Sequence, residues 1–208
     1  VLVEDRESGK QFEIKGIAVI NATGVFTNAI MNMNNPKHEN FVVASQGVHL
    51  VFDKSFLPSE NALMIPKTKD GRVLFVVPWH DKIIVGTTDT LVDKPSLEPK
   101  ALEKEINFIL ETAQRFLAKK PQRSDVLSLF AGLRPLAAPK KEGFKTKEIS
   151  RSHKIIVSDS GLITIIGGKW TTYRKIAEDV VNKAIKVHHL PNANCQTENL
   201  SIHGNKFT

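Results

Sequence analysis

Between residues 48 and 88 the chain places four short apolar runs in close succession: "VHLVF", "ALMIP", "VLFVVP" and "KIIVGTT". Runs of this length, rich in β-branched and aromatic residues and separated by the turn signals "KDG" and "WHD", predict an antiparallel meander. The stretch that follows changes period. Leu102, Ile106, Ile109, Ala113 and Phe116 recur at helical spacing, and Glu98, Glu103 and Glu105 suit the positive end of that helix. "VLSLFAGLRPL" (126–136) then returns to strand character.

The flanks of this block read differently. Val1–Val3 and Phe12–Ile14 alternate around "ESGK", a hairpin signal. "GIAVINATG" is nearly all apolar, which predicts a strand buried on both faces, as in parallel sheets. "MNMNNPKHEN" reads as a loop. After the lysine-rich "APKKEGFKTKE" come "HKIIVS", the turn "DSG", "LITII", and a helix from about Thr172 to His188. Both "AVINATG" and "LITIIGG" end in glycine where a strand finishes. Ligands in open α/β sheets gather beyond the carboxyl ends of strands, so these two ends are candidates to line one ligand. The predicted fold class is α+β: a largely antiparallel sheet with flanking helices, plus incomplete Rossmann-like segments.

Composition narrows the partners. The 208 residues carry a net charge of +7 with 25% charged and 41% hydrophobic residues, which excludes wholesale disorder and favours an acidic partner. The lysines are scattered, there is one tyrosine and no arginine-rich run, so nucleic acid is not the expected partner. Cys195 is the single cysteine, so no intrachain disulfide forms and a reducing compartment is expected. No apolar run approaches the roughly 20 residues of a membrane span, and no signal peptide is expected. The chain opens inside a strand without methionine, and reads as a piece of something larger.

Taken in order, "NATG", "SQGVHLV", "ALMIPKTKDGRVLFVVPW", "IIVGTTDT", "FAGLRPL", "ISRSHKI" and "GLITIIGGKWTTYRKIAEDVV" resemble the flavin-dependent glycerol-3-phosphate dehydrogenase family over about Ile17 to Ile185. The resemblance implies FAD and oxidation of sn-glycerol 3-phosphate to dihydroxyacetone phosphate by hydride transfer to the flavin. It implies electron delivery to quinone from a cytoplasmic enzyme held peripherally at the inner face of the cell membrane. Oxidase members pass the electrons to oxygen instead, and a non-catalytic module for phosphorylated ligands is the rival of another class. Members of the family begin with a G-x-G-x-x-G turn that cradles the FAD pyrophosphate. No such pattern occurs in these residues, and the C-terminal helical domain of longer members is also missing. The expected arrangement is therefore a remnant of the FAD-binding domain (1–43), a substrate-binding sheet domain (44–158), a return strand and helix of the FAD-binding domain (159–190), and a tail (191–208). The isolated chain is expected to be inactive and to retain no FAD.

A dianionic phosphate and a secondary alcohol call for fixed cations at one end and a proton acceptor at the other. Arg134 precedes Pro135, which biases it to extended geometry, and a guanidinium there can grip phosphate bidentately. Arg151 in "ISRSHKI" resembles the family's second phosphate arginine. For each, the plain alternative is a surface ion pair. His49 alternates with Val48 and Leu50 and so faces the opposite way; the resemblance makes it the acceptor of the hydroxyl proton, against a core or surface histidine. Lys169 follows Gly167–Gly168, and the resemblance implies a place beside the substrate near the flavin, where it would stabilise charge developing on the substrate oxygen or on the flavin; the alternative is a solvated turn lysine. Gly167, Gly168 and Thr171, with Ala22 and Gly24 of "NATG", are the implied flavin contacts, and plain turns are their alternative. The other histidines lack metal-ligand spacing, so no metal is expected. Asp89 reads as a turn residue, Trp79 and Trp170 as packing residues.

Overall fold

A computed structural model describes residues 1–69, 71–138 and 152–204. In chain order the elements are β1 (Leu2–Glu4), β2 (Gln11–Glu13), β3 (Ile20–Asn21), α1 (Thr27–Asn34), β4 (Val42–Asp53), β5 (Leu63–Ile65), β6 (Leu74–Trp79) and β7 (Lys82–Gly86). β8 (Thr90–Val92), α2 (Glu103–Phe116), β9 (Ser128–Ala137), β10 (Lys154–Val157), β11 (Ile163–Ile166) and α3 (Tyr173–His188) complete the described set. The chain divides into two compact units: Val1–Val42 with the chain from β10 onward, and the stretch from Val43 through β9. The mixed helix and antiparallel-sheet content is the α+β class expected from the sequence.

The second unit is built on a sheet of order β5-β6-β7-β4-β8, all antiparallel, with β9 also paired to β4. The period-2 reading holds here in detail. Leu74 and Val76 of β6 are fully buried whereas Phe75 and Val77 are not. Val48, Leu50 and Phe52 of β4 join Ile65, Ile83 and Val85 in one core, closed by Ile106, Ile109, Leu110 and Ala113 of α2. Each such side chain, removed from water, contributes roughly 1.5–3 kcal/mol before entropy is counted. The β6–β7 hairpin turns on His80 and Asp81 between Trp79 and Lys82, with His80 at φ 52°.

The first unit holds the β1–β2 hairpin and a three-stranded sheet of order β10-β11-β3. β10 and β11 are antiparallel, while β11 and β3 are parallel neighbours, Ile163 opposite Ile20 and Thr164 opposite Asn21. α3 lays Val180 and Ala184 on this sheet against Ile163.

Three expectations need correction. The Asn- and Met-rich "loop" begins inside α1. Asparagine is a poor helix former, yet Asn28 earns its place by tertiary bonds: its Oδ1 accepts from the N–H groups of Phe41 (3.1 Å) and Val42 (3.2 Å), and its Nδ2 donates to the Val42 carbonyl (2.8 Å). The run around β3 is not buried on both faces, because β3 is an edge strand and Ile17, Val19 and Ile20 stay exposed. Trp79 and Trp170 are not packed in a core: both are exposed, Trp79 edge-on to His80 and Trp170 stacked on Tyr173.

Candidate active site

Within the second unit, β4, β7 and β9 bring His49 and Arg134 into one neighbourhood. His49 pairs in register with Gly86 of β7. A Cβ on Gly86 would lie 2.8 Å from His49 Cγ and 2.8 Å from the Val48 carbonyl oxygen, so only glycine lets the imidazole lie across that strand. The other face of the ring stacks on Phe130 of β9, centroids 5.0 Å apart. Burial first, and the positive charge of Arg134 second, push the His49 pKa below its ordinary 6.5. His49 is therefore a neutral imidazole at neutral pH, able to accept a proton.

Arg134 leaves β9 and crosses Gly47, where a Cβ would sit 2.7 Å from the guanidinium carbon. Its Nη2 donates to Thr87 Oγ1 at 2.9 Å and its Nη1 to the Thr88 carbonyl at 3.2 Å. Asp89, to which the Ser45 hydroxyl donates, lies 3.9 Å from Nη1. The guanidinium is thus a fixed cation, on a side chain two-thirds withdrawn from solvent. "GTTDT" had no function readable from sequence, and here it supplies the acceptors that aim Arg134. Arg151 lies outside the described residues.

In the first unit, β3 and β11 run parallel, so the turns Ala22–Gly24 and Gly167–Gly168 leave the same edge of the sheet. Asn21, buried at the end of β3, ties this edge together: its Oδ1 accepts from the Thr23 hydroxyl at 2.7 Å and its Nδ2 donates to the Thr27 carbonyl at 3.1 Å. Gly24 has φ 59° and nothing within 4 Å of where its Cβ would be, so its backbone is open to a ligand. Gly167 and Gly168 have φ of 71° and 97°, and their Cβ atoms would meet the Ser152 carbonyl oxygen at 2.9 Å and Ile176 Cδ1 at 2.5 Å. Those two glycines are required by the chain's own fold whatever binds beside them. Lys169 is exposed in extended conformation, and its carbonyl accepts from Thr172, which closes the 3-10 turn Trp170–Thr172 that carries Thr171. Ala22 and Thr171 are exposed as well.

The second unit thus carries a histidine beside a fixed arginine on an antiparallel sheet, and the first unit ends its parallel strands in glycine turns. The chain belongs to the FAD-dependent oxidoreductase family, whose model matches residues 1–174. It is 40% identical to the probable mitochondrial glycerol-3-phosphate dehydrogenase of Dictyostelium discoideum, over 98% of this chain and 33% of that protein. The mitochondrial enzyme of the same name from Mesocricetus auratus is 43% identical over 98% of this chain and 28% of its own length. Among solved structures, glycerol-3-phosphate dehydrogenase from Bacillus halodurans complexed with FAD superposes with TM-score 0.76 and 34% identity, covering 89% of this chain and 35% of that one. Glycine oxidase from Geobacillus kaustophilus, at 14% identity and TM-score 0.54, shares the fold alone. The chain thus spans about a third of the length of the relatives it matches.

The residues fit FAD in part. The open backbone at Gly24, at the end of a strand that runs parallel to β11, suits the passage of a flat or extended ligand over the strand ends. The glycine-rich cradle for a pyrophosphate is absent from the sequence.

Proposed function

We propose that this chain is the central portion of an FAD-dependent glycerol-3-phosphate dehydrogenase. The first unit supplies the flavin-binding turns through Ala22, Gly24, Gly167, Gly168 and Thr171, and the second unit binds substrate. The observation that carries the reading is the pairing of Arg134, a fixed guanidinium, with His49, a half-buried imidazole kept neutral. Arg134, with Arg151, holds the phosphate. His49 takes the hydroxyl proton as the alcohol becomes a ketone. FAD held at the turns of the first unit would supply the acceptor for the C2 hydride, which balances the oxidation.

The final acceptor is a quinone, and the intact enzyme sits peripherally on a membrane. No helix among the described residues is long and apolar enough to cross one, and the net charge of +7 suits an anionic surface. Quinone reduction rather than peroxide release by the full-length enzyme separates this acceptor from oxygen.

The test uses the full-length enzyme. Glycerol 3-phosphate is expected to bleach its flavin absorbance, and glycerol, which lacks the phosphate, is not at the same concentration; equal bleaching by both sinks the phosphate reading. The acid limb of kcat/KM is expected below pH 6.5, because His49 must be neutral to act and its pKa is lowered. The sign for stability is the same. The unfolded chain binds this proton more readily, so the His49 contribution is present above pH 6.5 and fades as pH falls toward the lower folded value. The 208-residue chain alone is expected to purify colourless, since it lacks the pyrophosphate cradle; a stoichiometric yellow flavin spectrum would overturn the reading of the chain as a portion of the enzyme.

A further inference from the structure

Glu105 stands on the inward face of α2, next to Ile106 and one turn before Ile109, with only 2% of its surface exposed. A carboxylate buried like this is costly unless its lone pairs are filled. Thr88 donates to Oε1 at 2.9 Å, while Oε2 accepts from the Gln46 amide at 2.7 Å and the Leu102 N–H at 3.0 Å. Burial opposes the charge, but donors from Thr90, Leu102, Gln46 and Thr88 together outweigh it and hold the carboxyl below its ordinary range. The bond to Leu102 caps the helix, and an exposed glutamate would serve for that alone. The remaining bonds reach out of the helix into the sheet.

What they hold is informative. Side chains alternate along β4, so Gln46 and Val48 face α2 while Gly47 and His49 face the other side, where Arg134 crosses. Thr88 stands between the two faces. Its hydroxyl donates to Glu105 and accepts from the Val48 N–H at 2.9 Å, and its carbonyl accepts from Arg134. One residue therefore separates the buried carboxylate from the guanidinium. The neighbouring Thr87 hydroxyl and Asp89 carboxylate are the other two groups on Arg134 that this turn supplies.

We propose that Glu105 is a positioning residue for the substrate arginine: by holding Gln46 and Thr88 from one face of the sheet, it fixes the Thr87–Asp89 turn as the rest on which Arg134 is aimed from the other. The proposal rests on Arg134 as the phosphate-binding residue.

The experiment is a kinetic set on the full-length enzyme: Thr88→Val, Thr88→Ser, Glu105→Gln, Arg134→Ala and the double variant T88V/R134A. Thr88→Val keeps the volume and the carbonyl and removes the hydroxyl that links Glu105 to the Thr87–Asp89 segment and accepts from the Val48 N–H. It is expected to raise KM for glycerol 3-phosphate roughly tenfold, since a displaced binding group loses much of its effect. Flavin content should stay at wild type, the saturated rate should fall by less than KM rises, and Thr88→Ser should restore KM. Glu105→Gln, the harsher change, is expected to move KM in the same direction. The double variant should be no worse than Arg134→Ala, because both changes remove one function. A wild-type KM in folded Thr88→Val, or losses that multiply in T88V/R134A, would overturn the proposal and leave Glu105 with a folding role alone. A wild-type KM in Arg134→Ala would instead overturn the reading of Arg134 itself.

Discussion

In the full-length enzyme, Lys169→Met is expected to lower the rate of flavin reduction at saturating glycerol 3-phosphate by roughly a hundredfold or more, the usual cost of removing one electrostatic contact made in the transition state. Lys169 is exposed, sits in extended conformation directly after the Gly167–Gly168 turn, and starts the 3-10 turn that leads into α3. Its backbone is fixed on both sides: Gly168 by its φ of 97° and by Ile176, Thr172 by its bonds to the Lys169 carbonyl. A lysine on this base brings a positive charge to the strand ends where the proposed flavin-binding turns lie, and it would there stabilise charge that develops at the ring on reduction. Methionine keeps the length and removes the charge. A lysine that held only ground-state phosphate would raise KM and leave the saturated rate alone. Stopped-flow bleaching of the flavin at saturating substrate distinguishes the two. A variant equal to wild type in both rate and affinity returns Lys169 to the role of a solvated turn residue.

The parts legible in the sequence are those whose cause is local. The alternation of Leu74, Phe75, Val76 and Val77 and the helical spacing of Ile106, Ile109 and Ala113 state their own periods, and both survive in the structure. Even here the buried stripe is narrower than the spacing alone predicts, since Leu102 and Phe116 at its ends are about half exposed. What was not legible depends on partners distant in sequence. α1 was hidden because the role of Asn28 lies in bonds to Phe41 and Val42. Glu105 looked like a charge suited to a helix start, and nothing nearby shows that Gln46 and Thr88 draw it into the interior. The glycines differ among themselves. Gly167 and Gly168 suggest room for a ligand, yet their Cβ positions are blocked by Ser152 and Ile176 of the same chain, whereas Gly24 has the open face.

Arg134→Ala in the full-length enzyme is expected to reduce kcat/KM for glycerol 3-phosphate by about 10- to 150-fold, corresponding to the roughly 1.5–3 kcal/mol of a hydrogen bond to a charged group. Flavin content should not change, because Arg134 belongs to the second unit, where it bonds Thr87 and Thr88 and lies beside Asp89. A second readout is independent of affinity. The guanidinium is one of the two causes that hold the His49 pKa down, the smaller one after burial. Its removal should move the acid limb of the pH profile upward, toward but not beyond the ordinary 6.5, since burial of the imidazole remains. Arg134→Lys separates charge from shape: it should keep the limb low while recovering little of the binding, because an ammonium cannot reproduce the forked grip. An Ala variant with unchanged kcat/KM would make Arg134 a strut for the Thr87–Asp89 turn. One that lost activity without moving the limb would mean that Arg134 and His49 do not share a field, and the pairing on which the proposed function rests would fail.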